Sequence, residues 1–182
     1  MDEATLKKTP PVLLRLAHAE HFLNEYLRHS GPPIDSYFLM IGYFDAFLFA
    51  LASVWDMANK EEKDRLKAYR GFRFFKVLRN ITVHHSILAA MIDENKFQRP
   101  FSRETTIVGG GPQSFSSRLF FRLDVLREIL SAVEREHKKE KCNLDVAREY
   151  IAEIESRGLA HVYLEDIMSE ALKEAKLAVE RV

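Results

Sequence analysis

The run YFLMIGYFDAFLFALASVW, residues 37–55, decides how this chain folds. Its length approaches a membrane span, but Asp45 sits inside it and Asp35 and Asp56 flank it where Lys or Arg would mark a membrane boundary. Phe38, Ile41, Tyr43, Phe44, Phe47, Leu48, Leu51 and Trp55 make it apolar on nearly every side. That is the pattern of a helix surrounded by other elements of its own chain. It reads as a buried central helix from about Asp35, ending near Asn59, and not as a membrane span.

The neighbouring segments carry helical patterns on both sides. Upstream, Thr9-Pro10-Pro11 precedes Val12, Leu13, Leu16, Ala19, Phe22, Leu23, Tyr26 and Leu27, an amphipathic helix with proline at its start and Gly31-Pro32-Pro33 as its stop. Downstream, Lys60 to Tyr69 is charged, anchored by Leu66 and Tyr69, and predicts a short surface helix closed by Gly71. From Phe72 to about Asp93, the spacing of Phe75, Leu78, Ile81, Leu88 and Ile92 predicts another helix, despite the β-branched run Ile81-Thr82-Val83. The pattern fails between Lys96 and Gln113, where Thr105-Thr106-Ile107-Val108 reads as a short strand, with Arg118 to Leu123 as its hairpin partner. Asp124 offers a cap for charged helices reaching about Arg157, Gly158 breaks them, and a last helix runs from Tyr163 to Val179. The expectation is an all-α fold: one domain over residues 1–182, a bundle of about five to six helices with a loop or small β-hairpin insertion at about 93–123.

With 182 residues, 47% of them hydrophobic, the chain can bury one good core. Its lone cysteine, Cys142, excludes an internal disulfide and a Cys-x-x-Cys site. The opening Met1-Asp2-Glu3-Ala4-Thr5 lacks the basic start and apolar run of a signal peptide, so a cytoplasmic location is expected and the sequon Asn80-Ile81-Thr82 reads as chance. A net charge of zero argues against a general nucleic-acid coat, yet the charge is unevenly spread. Residues 60–79 hold eight basic side chains, including Arg70, Arg73 and Lys76, against three acidic ones, whereas residues 128–182 hold 13 acids against nine bases. The basic run is a candidate RNA-binding face; the plainer reading is a solvated helix surface.

Chemistry concentrates at Arg79-Asn80-Ile81-Thr82-Val83-His84, followed by His85. Neutral imidazole takes a proton from a ribose 2′-hydroxyl near neutral pH, and a guanidinium presents a planar fork to phosphate oxygens. Asn80 precedes His84 by four residues and shares its helix face. Arg79 lies about 140° away from His84 on an ideal helix. It therefore needs a helix start or kink, a wrapped side chain, or a site shared between two subunits. His85 falls on the apolar face with Leu78, Ile81 and Leu88, where a core or interface histidine is equally expected.

This motif, an arginine followed by a polar residue and then histidine after a short spacer on a helix of an all-α domain, resembles that of the HEPN superfamily. The resemblance implies a helical bundle that dimerises and brings two motifs to a shared cleft. It implies metal-independent endoribonuclease activity, with RNA as substrate, no cofactor, and an antitoxin or other regulatory protein as partner in toxin–antitoxin or phage-defence systems. Arg79 and His84 would be catalytic, Asn80 their polar helper and His85 a secondary candidate. The tyrosine that some relatives carry two residues after the histidine is Ser86 here, or Ile87 counting from His85. A non-catalytic module for RNA or nucleotide binding or for dimerisation, and a helical interaction protein in which the Arg–His pair is incidental, are the competing readings.

Other signals carry less. His18, His21 and Glu25 share a helix face, which without ligands from a second helix reads as a solvated stripe and not a metal site. Glu134 and His137 form a single Glu-x-x-His, half of a di-iron signature. Gly109-Gly110-Gly111-Pro112 lacks the Lys-Ser/Thr of a phosphate loop. Of Phe72, Phe74 and Phe75, at least two are expected in packing, and Phe74 is the one offered to a ligand.

Overall fold

A computed structural model describes residues 8–30, 37–85, 101–107, 115–136 and 141–180. Around the apolar run the chain forms α1 (Pro11–Arg28), α2 (Tyr37–Met57), α3 (Lys60–Leu66), α4 (Arg70–His85), α5 (Leu123–Glu136), α6 (Lys141–Ser156) and α7 (Leu164–Val179). Three strands accompany them: β1 (Phe101–Ile107), β2 (Phe115–Arg122) and β3 (His161–Tyr163). The fold is a mostly helical bundle with a small hairpin, as the periodicity predicts.

Helix α2 packs along α1 and also meets α4 and α7. It buries Met40, Phe44, Phe47, Leu48, Leu51 and Val54, the inward face of a core helix. It is also long and apolar enough to cross a membrane by length and composition, and it leaves Phe38 and Phe49 exposed. Its ring partners come from distant segments: Phe75 of α4 lies 5.4 Å from Phe47, and Phe121 of β2 lies 5.8 Å from Phe44. Val12, Leu16, Ala19, Leu23 and Tyr26 recur at steps of three and four and turn α1 onto the core. Helix α7 closes the opposite side, buries Ile167, Met168, Ala171, Leu172, Ala175 and Val179, and touches α1, α2, α3 and α4.

The second strand of the hairpin contributes to the core. Strands β1 and β2 pair antiparallel from Phe101↔Phe121 to Ile107↔Phe115, and alternation along β2 sends Leu119 and Phe121 inward. The third strand, β3, has no counterpart in the sequence reading; its three residues pair with the end of β2, Phe120 opposite Tyr163. So short a strand follows from its partner and carries no alternation of its own. Gly71 also departs from expectation. It opens α4 instead of closing α3, which starts from an Asn59–Glu62 capping box. A Cβ at Gly71 would lie 2.7 Å from Glu174 Oε2, and that carboxylate accepts the backbone N–H of Phe72 at 2.7 Å. The bare glycine lets a carboxylate from α7 satisfy a donor at the start of the motif helix. Burial, opposed by these backbone hydrogen bonds, pushes the Glu174 carboxyl up. Gly158 does end α6, with φ at 79°.

Candidate nucleic-acid interface

Helix α4 is built from two interleaved patterns. Phe72, Phe74, Phe75, Val77, Leu78 and Ile81 are buried, while Arg73, Lys76, Arg79 and Asn80 are half-exposed between them. All three phenylalanines face inward. The ligand-facing role expected for Phe74 is therefore corrected: its ring stacks on Tyr150 of α6 at 4.6 Å, because the α4–α6 contact uses that position.

Arg73, Lys76 and Asn80, but not Arg79, open onto a groove of about 360 Å³, which Trp55, Lys67, Phe72, Val77 and Val146 complete. Lys76 Nζ lies 3.5 Å from the centroid of the Trp55 ring, a cation–π contact that holds the ammonium at the wall. Burial pushes the Lys76 ammonium below its ordinary range; Asp56 opposes the shift and Lys63, Arg79 and Lys67 add to it. Neighbouring cations are differently placed. Lys67 pairs with Asp64 at 2.7 Å, and Arg70 pairs with Glu153 at 2.6 Å. Arg148 pairs with Glu134 at 2.5 Å. Among the described residues, Arg73, Lys76 and Arg79 have no carboxylate within ion-pair distance. Of the three basic residues singled out in the sequence, the groove thus gathers Arg73 and Lys76, and Arg70 is held elsewhere.

The motif lies toward the end of the same helix. Because α4 is continuous from Arg70 to His85, Arg79 is mid-helix, and neither a helix start nor a break separates it from position 84. Helical rotation sets Arg73, Asn80 and backbone position 84 within about 20° of a common line, and Arg79 about 120° from Arg73. The arginine nevertheless reaches back: its Nη1 donates to Asn80 Oδ1 at 3.3 Å. Its Cζ lies 5.9 Å from the Phe49 ring centroid, and its buried Nε has no hydrogen-bond partner among the described residues. The side chains of His84 and His85 lie outside the described residues, as do Ser86 and Ile87.

Asp45, the one charge inside the apolar run, has a buried Oδ1 without a hydrogen bond among the described residues, and burial raises its carboxyl pKa. Trp55 and Lys67 are groove residues that the sequence reading missed. Trp55 ends an apolar run and reads as core, so nothing local marks it as a wall for a lysine 21 positions later.

Other concavities offer less chemistry. A wider hollow of about 460 Å³ beside the hairpin includes His161, but its charged lining is already neutralised: Arg122 pairs with Asp124, and Glu155 pairs with Arg127. A void of about 10 Å³ among Phe74, Leu78 and Ile129 is a packing gap. On α1, Glu25 pairs with Arg28 at 2.8 Å and His18 and His21 are exposed, which leaves a solvated stripe. Glu134 is the partner of Arg148; His137 and the glycine run 109–111 lie outside the described residues.

The fold and the groove define a helical domain with a cationic cleft. The chain matches no family model, no curated protein and no solved structure.

Proposed function

We propose that the chain is a metal-independent endoribonuclease of the HEPN type, with His84, Arg79 and Asn80 at its reacting centre. The observation that supports this reading is the pair Arg73 and Lys76 on α4, without a carboxylate in ion-pair range among the described residues, on the same helix as an asparagine hydrogen-bonded to the motif arginine. The reaction needs no external nucleophile. The His84 imidazole accepts the proton of a ribose 2′-hydroxyl, O2′ bonds to the adjacent phosphorus, and the P–O5′ bond breaks. The 5′-oxygen leaves with a proton, and the other fragment ends in a 2′,3′-cyclic phosphate. Arg79 meets the growing negative charge on the phosphoryl oxygens, and Asn80 positions the guanidinium.

The test is incubation of wild type and His84→Ala with mixed structured and single-stranded RNAs in EDTA. Cleavage to cyclic phosphates by wild type alone is the expected result; cleavage by both proteins, or by neither, removes the assignment. A homodimer that shares the centre is checked by mixing inactive Arg79→Ala and His84→Ala chains. Recovered activity is expected only if the two residues work across copies.

The second reading is a binding module that uses the same groove without catalysis. It draws on the Arg79–Asn80 hydrogen bond, which already occupies the arginine. Retained RNA binding with no cleavage by wild type would favour it.

A further inference from the structure

We infer that the groove holds a backbone phosphate of single-stranded RNA away from the reacting bond, with Arg73 and Lys76 as its ligands and Trp55 as the wall that keeps Lys76 in place. This rests on the RNA reading above and goes further, because it makes the substrate a strand of several nucleotides.

Lys76 is partly desolvated at the groove wall, and of the charges that act on it Asp56 favours the ammonium while Lys63, Arg79 and Lys67 disfavour it, a balance that burial tips against the charged form. An arriving anion offsets that penalty. The arginines on adjoining surfaces gain no such benefit, because Glu153 and Glu134 already meet Arg70 and Arg148. Shape then restricts the ligand. A volume of about 360 Å³ lies within the range of small-ligand sites, room for one nucleotide unit of a strand and far too little for a duplex. Phe72, Val77 and Val146 add apolar side chains to the lining, which suits a sugar or base beside the phosphate better than a bare inorganic ion. Register supplies the connection to the motif. Arg73 and position 84 lie on one line of α4, about 16 Å apart along its axis. That exceeds the reach of a single nucleotide, so a strand occupying both places must continue past its cleaved bond.

The probe is a uniformly 2′-O-methylated single-stranded oligonucleotide of about ten nucleotides, which binds but offers no nucleophile. Two readouts apply to the full chain: affinity as a function of salt, and the emission of Trp55, the only tryptophan. Wild type is expected to bind with a change in Trp55 emission. Arg73→Gln and Lys76→Gln should each weaken binding about tenfold and reduce the logarithmic salt slope by about 0.7. Arg148→Gln, an equal loss of charge from an ion-paired site on α6, should alter neither, and circular dichroism should show all three variants folded.

If the Arg73 and Lys76 variants bind like wild type while His84→Ala still abolishes cleavage, the groove assignment is overturned and the ribonuclease reading stands. If wild type cleaves RNA yet cleaves a dinucleotide as well as a longer strand, the extended substrate is overturned. If inorganic phosphate displaces the oligonucleotide at equal concentration, the groove is a small-anion site and the strand assignment fails. Failure of wild type to bind any single-stranded probe overturns both proposals.

Discussion

Two cations in this protein sit over aromatic rings at nearly the same distance, and they do opposite things. Arg118 of β2 lies 3.4 Å from the Tyr163 ring centroid, and Lys76 of α4 lies 3.5 Å from that of Trp55. Arg118 is also neutralised: its Nε donates to Glu165, and its Nη2 lies 3.3 Å from Asp166. Glu165 in turn accepts from the Tyr26 hydroxyl at 3.5 Å, so hairpin, α7 and α1 meet in one closed network. Burial first, and then the neighbouring Glu165, push the Tyr26 hydroxyl pKa well up, so it stays a donor. Lys76 has the ring and no carboxylate in ion-pair range among the described residues. The comparison shows that a cation–π contact does not by itself separate a brace from a binding group. What separates them is whether acids close the remaining coordination.

The strongest way to break this comparison is Arg118→Ala. It strips Glu165 of its guanidinium while the carboxylate stays mostly buried, and should cost about 1–3 kcal/mol in urea unfolding. RNA affinity should be unchanged. A stability loss below the error of the method would show that Arg118 is no brace. Next in size is Lys76→Met, which keeps an apolar stem on Trp55 and removes the desolvated charge. Its expected gain is about 0.5–1 kcal/mol, with weaker RNA binding alongside. A Lys76→Met protein less stable than wild type would place Lys76 with the braces.

The smallest effect is a pH dependence. Folding lowers the Lys76 pKa below its ordinary 10.5, so the unfolded chain holds that proton more tightly between the two values. The contribution of this group to stability therefore rises as pH climbs through that interval. Denaturant midpoints from neutral pH to about pH 10 should show this rise in wild type and lack it in Lys76→Met. Identical profiles for the two proteins would remove Lys76 as its source.

Much of the fold was legible because its signals are local. The apolar faces of α1 and α2, the Pro10-Pro11 start and the Gly158 stop are each written within a few residues. The hairpin showed in its β-branched first strand. The misreadings share a cause. Gly71 looks like a stop until Glu174, 103 positions later, is seen against it. Phe74 looks available until Tyr150 covers it, and β3 exists only because β2 lies beside it.

Helical periodicity, read from neighbouring residues alone, gives α4 its basic residues and the Arg–Asn–His spacing. Which of those charges meet an acid among the described residues follows from packing. Arg70 and Arg73 are three positions apart on one helix and alike in their local sequence. Glu153 of α6 reaches the first, while Trp55, Lys76 and Val146 line one groove with the second. Whether a surface charge is neutralised depends on what packs beside it, and for α4 those partners come from α2 and α6, distant in sequence and adjacent in space.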